Sequence, residues 1–430
     1  MTHNKWRQRF FKPWIVCLVL FAWAFSAPVA VDALSATRQP DHIRLTWVQD
    51  AKTTQTVTWR TSDEVSEGWV RYFEMVPPSP ATPVRHLAKA DTARMDTQDG
   101  SLNVHSATLA GLKPGVRYGY QVGGGDAWSE MDSFTTAPER ARDFDFLVFG
   151  DSQSIDYNVW RITVQNAFRT VPEAAFFVNV GDLVDVGQDY GEWERWFAGA
   201  AGVIEKIPAM PVVGNHETYS PERRFSKPHF FTSQFRLPEN GPNELTGQVY
   251  SFDYGDVHIA ILDSQEGEER SFVPDMLAKQ KNWLEADLAA TDKMWKIIFI
   301  HRPLYGNKPN GVNENLRRAF AGVLDQYGVD LVFTAHDHVN ARTWPLDSGG
   351  NAALLGQGVV FVAVGRSGTK TYDNVEQKEW NEFFRNPTDE PDYLIVRVRG
   401  GVLQVQVRTQ SGDVMDEWKI EKPMRKKEKP

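Results

Sequence analysis

Apolar and polar positions along the chain fall into two regimes. From about residue 39 to 138 they alternate in short runs: IRLTWV (43–48), TVTWRT (56–61), WVRYFE (69–74), HSATLA (105–110) and VRYGYQV (116–122), separated by clusters of Gly, Pro and Asp. Alternation puts successive side chains on opposite faces of an extended chain. These runs therefore predict half-buried strands, and several of them within about a hundred residues predict an all-β sandwich. The GGGD run at 123–126 reads as a hairpin turn.

After a charged stretch at 139–143 the pattern changes. FDFLVFG (144–150), AAFFVNVGD (174–182), MPVVGNHE (210–217), VHIAILDS (257–264), MWKIIFIH (294–301) and VDLVFTAH (329–336) are continuous apolar runs that end in polar loops. Unbroken apolar runs suit strands buried on both faces. The spacing between them predicts helices over 159–170, 192–203, 275–290 and 314–327. The result is an α/β domain whose loops at the C-terminal strand ends carry the polar residues. VVFVAVG (359–365), YLIVRVRG (393–400) and VLQVQVR (402–408) read as strands that complete a second sheet. The tail at 422–430 is charged and proline-bounded, which predicts disorder.

Composition adds three constraints. Lys5, Arg7, Arg9 and Lys12 precede an apolar run (14–27), and Val31, Asp32 and Ala33 follow it, which predicts an export signal over 1–33 cut after Ala33. The alternative is an uncleaved anchor, which would be the chain's one route to a membrane. The single cysteine, Cys17, lies inside that run, and Val16 before it does not fit a lipoprotein signal. A mature chain without disulfides suits the bacterial periplasm or secretion from a bacterium. The net charge of -9 argues against a nucleic-acid partner.

The candidate chemistry sits in four short runs and one histidine. GDSQ (150–153), GDLVD (181–185), GNHE (214–217) and AHDH (335–338), with His301 in FIHRPLY, supply Asp151, Asp182, Asn215, His301, His336 and His338. A GD pair after a strand is ordinarily a plain turn; the ordered set is what distinguishes this chain. Phosphate esters are anionic and inert, and two cations about 3.5–4 Å apart clamp the ester while acidifying a water. Holding them requires carboxylates, one able to bridge, and neutral amide or imidazole ligands outside. His336 and His338 are two apart, so a loop must aim both inward. Outside these runs, His42, His86 and His105 read as surface or turn residues, His229 as a loop histidine and His258 as structural on a strand. Tyr219 and Tyr305 read as packing.

These motifs resemble those of the calcineurin-like metallophosphoesterase superfamily over residues 143–421. Residues 39–138 resemble the fibronectin type III-like N-terminal domain of purple acid phosphatases, on W-x-T (59–61), H-x-x-x-L-x-G-L-x-P-G-x-x-Y (105–118), W-S (128–129) and F-T-T-x-P (134–138). The resemblance implies an all-β sandwich followed by an α/β domain of two mixed sheets flanked by helices. It implies that Asp151, Asp182 and His338 hold a first metal, that Asp182 bridges to a second, and that Asn215, His301 and His336 complete that second site. His216 would face the phosphate and serve the leaving oxygen, Glu217 would stand behind the ligands, and Arg302 would reach the substrate.

One departure matters. Where purple acid phosphatases carry a metal-bound tyrosine this chain has Asp185, and where other members carry a histidine it has Gln153. The first site is then filled by Gln153, by Asp185 or by water, and a colourless protein using Mn, Zn, Mg or Fe(II) is expected. The implied function is an exported dinuclear metallohydrolase, an acid phosphatase-like monoesterase in which a metal-bound hydroxide attacks a small-molecule phosphate ester. A phosphodiesterase acting on nucleotides or phospholipid headgroups is the alternative enzyme. A non-catalytic binding protein on a decayed site is the alternative outside enzymes.

Overall fold

The computed structural model describes Met1 and residues 36–75, 85–354 and 357–423. The expected export signal, apart from Met1, and the end of the expected tail (424–430) lie outside the described residues. Lys422, read above as part of that tail, is anchored: its Nζ stands 2.6 Å from Asp330 and 2.8 Å from the Met294 carbonyl.

The alternating runs of the N-terminal part form two antiparallel sheets. One has the order Asp41–Thr46, Thr54–Ser62, Gly100–Ala110, Asp91–Thr97; the other has the order His86–Lys89, Trp69–Glu74, Arg117–Gly124, Ala127–Trp128, with Asp132–Thr135 also on Arg117–Gly124. Gly124 pairs with Ala127 around the expected hairpin. Inward-facing Leu45, Val57, Trp59, Val70, Tyr120, Val122 and Phe134 fill the space between the sheets. His86–Lys89 and Asp91–Thr97 escaped the apolar pattern because they are exposed edge strands with almost no buried position. His105 corrects a reading: it is fully buried, held between Thr61 (2.8 Å) and Thr92 (2.9 Å), and stacked on Trp59.

The rest is a four-layer α/β domain. A mixed sheet runs Phe177–Asn179, Asp143–Phe149, Asp392–Arg399, Val402–Thr409, Val414–Glu421. A second sheet runs Tyr250–Tyr254, Val257–Leu262, Trp295–Ile300, Leu331–Thr334, Val360–Val364, Asn340–Thr343, Asn381–Arg385, with four parallel strands at its centre. Strand period two sorts the second sheet's side chains. Ile259, Ile297, Phe299 and Phe333 pack toward Phe146, Val148 and Leu394 of the first sheet. Ala260, Ile298, Ile300 and Val332 pack under helices Met276–Ala290 and Glu314–Gln326. Helices Tyr157–Thr170 and Tyr190–Ala200 cover the first sheet with Trp160, Trp193 and Trp196.

Two expected strands behave differently. The run at 210–214 forms no strand; it lies extended beside Phe177–Asn179, held by backbone bonds from Met210 to Phe177 and from Val212 to Asn179. The run at 359–365 does not join the antiparallel strands after it. It pairs parallel with Leu331–Thr334 and so brings one more C-terminal strand end to the same edge.

Both sheet systems belong to one compact unit. Leu45 of the sandwich exchanges backbone bonds with Ile204 and Ala209, and the Tyr120 hydroxyl donates to the Glu205 carbonyl. Arg60, 1% exposed, bonds Asp41 and reaches across to Glu194, each at 2.7 Å. Removing one partner of a buried pair strands the other charge, at about 3–5 kcal/mol. Arg60→Ala is therefore expected to lose about that much stability in urea unfolding, whereas an unchanged midpoint would mean that the bridge does not brace the two parts.

Candidate metal centre

The site is built where strands end. Asp143–Phe149 leads to Asp151, Phe177–Asn179 to Asp182, Trp295–Ile300 to His301, and Leu331–Thr334 to His336 and His338. The glycines of the motifs are required by crowding. A Cβ on Gly181 (φ +89) would stand 2.6 Å from His301 Nδ1, and one on Gly214 would stand 2.2 Å from Asp182's backbone nitrogen and Oδ1. Asp151, Asp182, His336 and His338 themselves sit at positive φ (48, 52, 67 and 56). L-residues rarely adopt that region, and it clusters where a side chain must be aimed against the run of its strand.

The aimed side chains form two overlapping groups. Donor atoms of Asp151, Asp182 and His338 lie within 4.8 Å of one another, and so do those of Asp182, His301 and His336. Asp182 Oδ2 is 3.3 Å from His301 Nε2, and Asp151 Oδ1 is 3.4 Å from His338 Nε2. Asn215 Oδ1 is 3.2 Å from His301 Nε2. Nδ1 of His301 bonds the Val180 carbonyl (2.8 Å) and Nδ1 of His338 bonds the Lys370 carbonyl (2.7 Å), which turns both Nε2 atoms inward. Burial lowers the His301 pKa, but Asp182 outweighs it and lifts it to about 9. Asp182 stays well below the usual carboxylate range despite burial, because His301 and His216 face it. A bound cation would displace the shared proton.

Several details fit a metal centre. Asp151 Oδ1 and His338 Nε2 are buried and make no hydrogen bond. The donors are carboxylate, amide oxygen and imidazole, a set that suits Mg, Mn, Zn or Fe. Glu217, expected behind the ligands, is fully buried and accepts from the backbone nitrogens of Asp182 (2.9 Å), Leu183 (2.8 Å) and Gly214 (2.7 Å). One carboxylate thus ties the GDLVD loop to the GNHE loop.

The remaining expected residues divide. Gln153 is in the group: its Nε2 is 3.4 Å from Asp182 Oδ2, and its Oε1 is buried without a partner. His216 lies at the edge, with Nε2 3.8 Å from Asp182 Oδ2 and Nδ1 2.5 Å from the Asp185 carbonyl. Asp185 is half exposed, and its carboxylate faces His216 Nδ1 (3.3 Å) and Lys370 (3.6 Å). Arg302 is taken by Glu268 in a two-point ion pair (2.9 and 2.7 Å), although it lines a cavity of about 510 Å³ together with Lys308 and His336.

Four further residues outside the motif runs border the site. Tyr219, read as packing, accepts from Asn215 Nδ2 (2.8 Å) and so fixes which end of that amide faces His301. Lys370 Nζ is 2.9 Å from His216 Nε2. Tyr372 packs edge-on against His338, and Lys308 Nζ lies 4.1 Å from the Tyr372 ring centre. Lys370 had a legible signal: GRSGTK (365–370) follows an apolar run, as the other motifs do. A larger cavity of about 990 Å³ is lined by Ser251, Asp253, His258 and Asp287 and by none of the expected site residues. His258 is structural there, as expected, bonded to Asp253 and Asp287 at 2.8 Å each.

Comparison with known proteins agrees with this architecture. Residues 40–136 match the N-terminal domain of purple acid phosphatases, and residues 144–340 match the calcineurin-like phosphoesterases. Acid phosphatase type 7 of Mus musculus is 29% identical over 339 residues, covering 71% of each chain. The Homo sapiens protein of that name is 29% identical over 364 residues, covering 77% of this chain and 76% of its own. The structure of purple acid phosphatase PPD1 from yellow lupin (Lupinus luteus) seeds superposes with a TM-score of 0.74 at 20% identity, covering 89% of this chain and 74% of that one. With both domain matches in this order on one chain, the protein belongs to the calcineurin-like metallophosphoesterases that carry a purple acid phosphatase N-terminal domain, and it is a metal-dependent phosphoesterase.

Proposed function

We propose that this chain is an exported acid phosphatase-like monoesterase with a dinuclear centre. The observation that carries the reading is that Asp182 belongs to both donor groups. Asp151, Asp182 and His338 would hold one ion; Asp182, Asn215, His301 and His336 would hold the other. When bound, two cations neutralise the ester's nonbridging oxygens and acidify a water. The chain's own residues do the rest. Backbone carbonyls on His301 and His338 set the tautomers that turn Nε2 toward the ions. Tyr219 keeps the Asn215 oxygen aimed the same way. Gln153 adds an amide beside Asp151 and Asp182, and turning that amide over presents its oxygen to the first ion. Asp185 is not a ligand in this reading, because its carboxylate serves His216 and Lys370. His216 is fixed at Nδ1 by the Asp185 carbonyl, so its Nε2 would face the departing oxygen and serve it when protonated. The basic and apolar run before Ala33 supports export.

Hydrolysis of p-nitrophenyl phosphate beside bis(p-nitrophenyl) phosphate, over a metal panel, tests this reading. The monoester is expected to turn over faster, and Asp182→Asn is expected to abolish both activities. A faster diester would select the phosphodiesterase reading, and no turnover with any metal would select a binding role.

The position of the colour-giving tyrosine is held by Asp185. The metal-loaded protein is therefore expected to lack a visible charge-transfer band. Such a band would mean that a tyrosine from another loop ligates, with Tyr372 against His338 as the candidate.

A further inference from the structure

We propose that Lys370 contacts the substrate and reads the second negative charge of a phosphate monoester, so that this one side chain sets the preference for monoesters over diesters. The inference rests on the phosphatase reading of the same site and adds a specificity residue to it.

Among the described residues three cations stand around the centre, and they are engaged to different degrees. Arg302 is locked by both guanidinium nitrogens onto Glu268. Lys308 Nζ donates to the His336 carbonyl (2.7 Å), stands 3.8 Å from Asp337 and lies over the Tyr372 ring at 4.1 Å. Lys370 differs. Its ammonium meets His216 Nε2 at 2.9 Å and stands 3.6 Å from Asp185, with Lys308 as a like-charged neighbour. An ammonium has three donors, so Lys370 keeps capacity for an incoming anion. Its side chain is 31% exposed, open enough to be met by a ligand.

The orientation follows from His216. Nδ1 lies 2.5 Å from the Asp185 carbonyl, which can only accept, so Nδ1 carries the hydrogen and Nε2 offers its lone pair to Lys370. His216 therefore positions the ammonium over the gap edge, where His216 itself is 3.8 Å from Asp182 Oδ2. The backbone is equally fixed. The Lys370 carbonyl holds His338 Nδ1 (2.7 Å), Ser367 N bonds the Gly150 carbonyl (2.8 Å) and Gly368 N bonds the Asp151 carbonyl (3.0 Å). A cation held by this frame stands beside His216, whose Nε2 is 3.8 Å from the Asp182 carboxylate that both donor groups share. There it meets a nonbridging oxygen that carries full charge in a monoester dianion and that is esterified in a diester.

The test compares wild type with Lys370→Met, Lys370→Gln and Lys370→Arg at pH 7, above the second phosphate ionisation near about 6. Metal content is checked to be equal, since the residue's carbonyl, not its side chain, holds His338. A charge-assisted contact is worth about 10- to 100-fold. The Met and Gln variants are expected to lose that factor in kcat/KM for p-nitrophenyl phosphate but less than about 3-fold for bis(p-nitrophenyl) phosphate. Calorimetry with inorganic phosphate on the Mn-loaded protein is expected to show Kd raised about tenfold or more, with Arg restoring most of it. Equal losses on both esters, or an unchanged phosphate Kd, would overturn the assignment. A wild type that hydrolyses neither ester would overturn the phosphatase reading instead, while the phosphate Kd of wild type against variant still decides the role of Lys370.

Discussion

Two buried carboxylates and three buried or nearly buried imidazoles can share one small volume only if something balances their charge. Asp151 and Asp182 are 0% and 1% exposed, and His301 is fully buried. An unpaired buried carboxylate is costly enough that proteins ordinarily neutralise or pair it. Here Asp182 is paired by His301, while Asp151 Oδ1 and His338 Nε2 face each other at 3.4 Å with no hydrogen bond. The chain adds backbone strain to reach this arrangement. Four site residues sit in the left-handed region, each at about 1–3 kcal/mol. Cations at the two donor groups would supply a compensating charge.

The fold is organised to bear that load. Parallel strands from both sheets deliver their C-terminal ends to one edge, and glycines at 150, 181 and 214 let the loops approach more closely than any side chain would permit. Glu217 then ties two loops together through their backbone nitrogens, which fixes Asp182 and Asn215 relative to each other. The sandwich adds a brace from outside: Arg60 reaches Glu194 on the helix that covers the first sheet, and Leu45 extends the backbone contacts beside the 210–214 segment.

Much of this was legible from the chain. Period-two alternation announced the sandwich, unbroken apolar runs announced strands buried on both faces, and the polar residues just after those runs are ones the fold brings together as candidate donors. What escaped detection depends on contacts between distant segments. The run at 210–214 looks like a strand because it is apolar, yet it is held by only a few backbone bonds beside its neighbour. His105 looks like a surface residue in an alternating run, but two threonines from other strands satisfy its ring in the core. Arg302 looks available beside His301, and only the fold shows that Glu268 claims it. Asp185 looks like a substitute ligand, and only the fold turns it toward His216 and Lys370. Lys370 is the converse case: its place after an apolar run was a signal, but a lysine is not a metal donor and a search for ligands passes over it.

The central claim is that Asp182 is shared by two metal sites. Metal content of the mature protein, purified without chelator and measured by inductively coupled plasma mass spectrometry, tests it most directly. The account predicts two ions per chain in the wild type and fewer than one in Asp182→Asn, because both donor groups lose the same carboxylate. A wild type that holds no more than one ion after saturation, or an Asp182→Asn variant that keeps both, would contradict it.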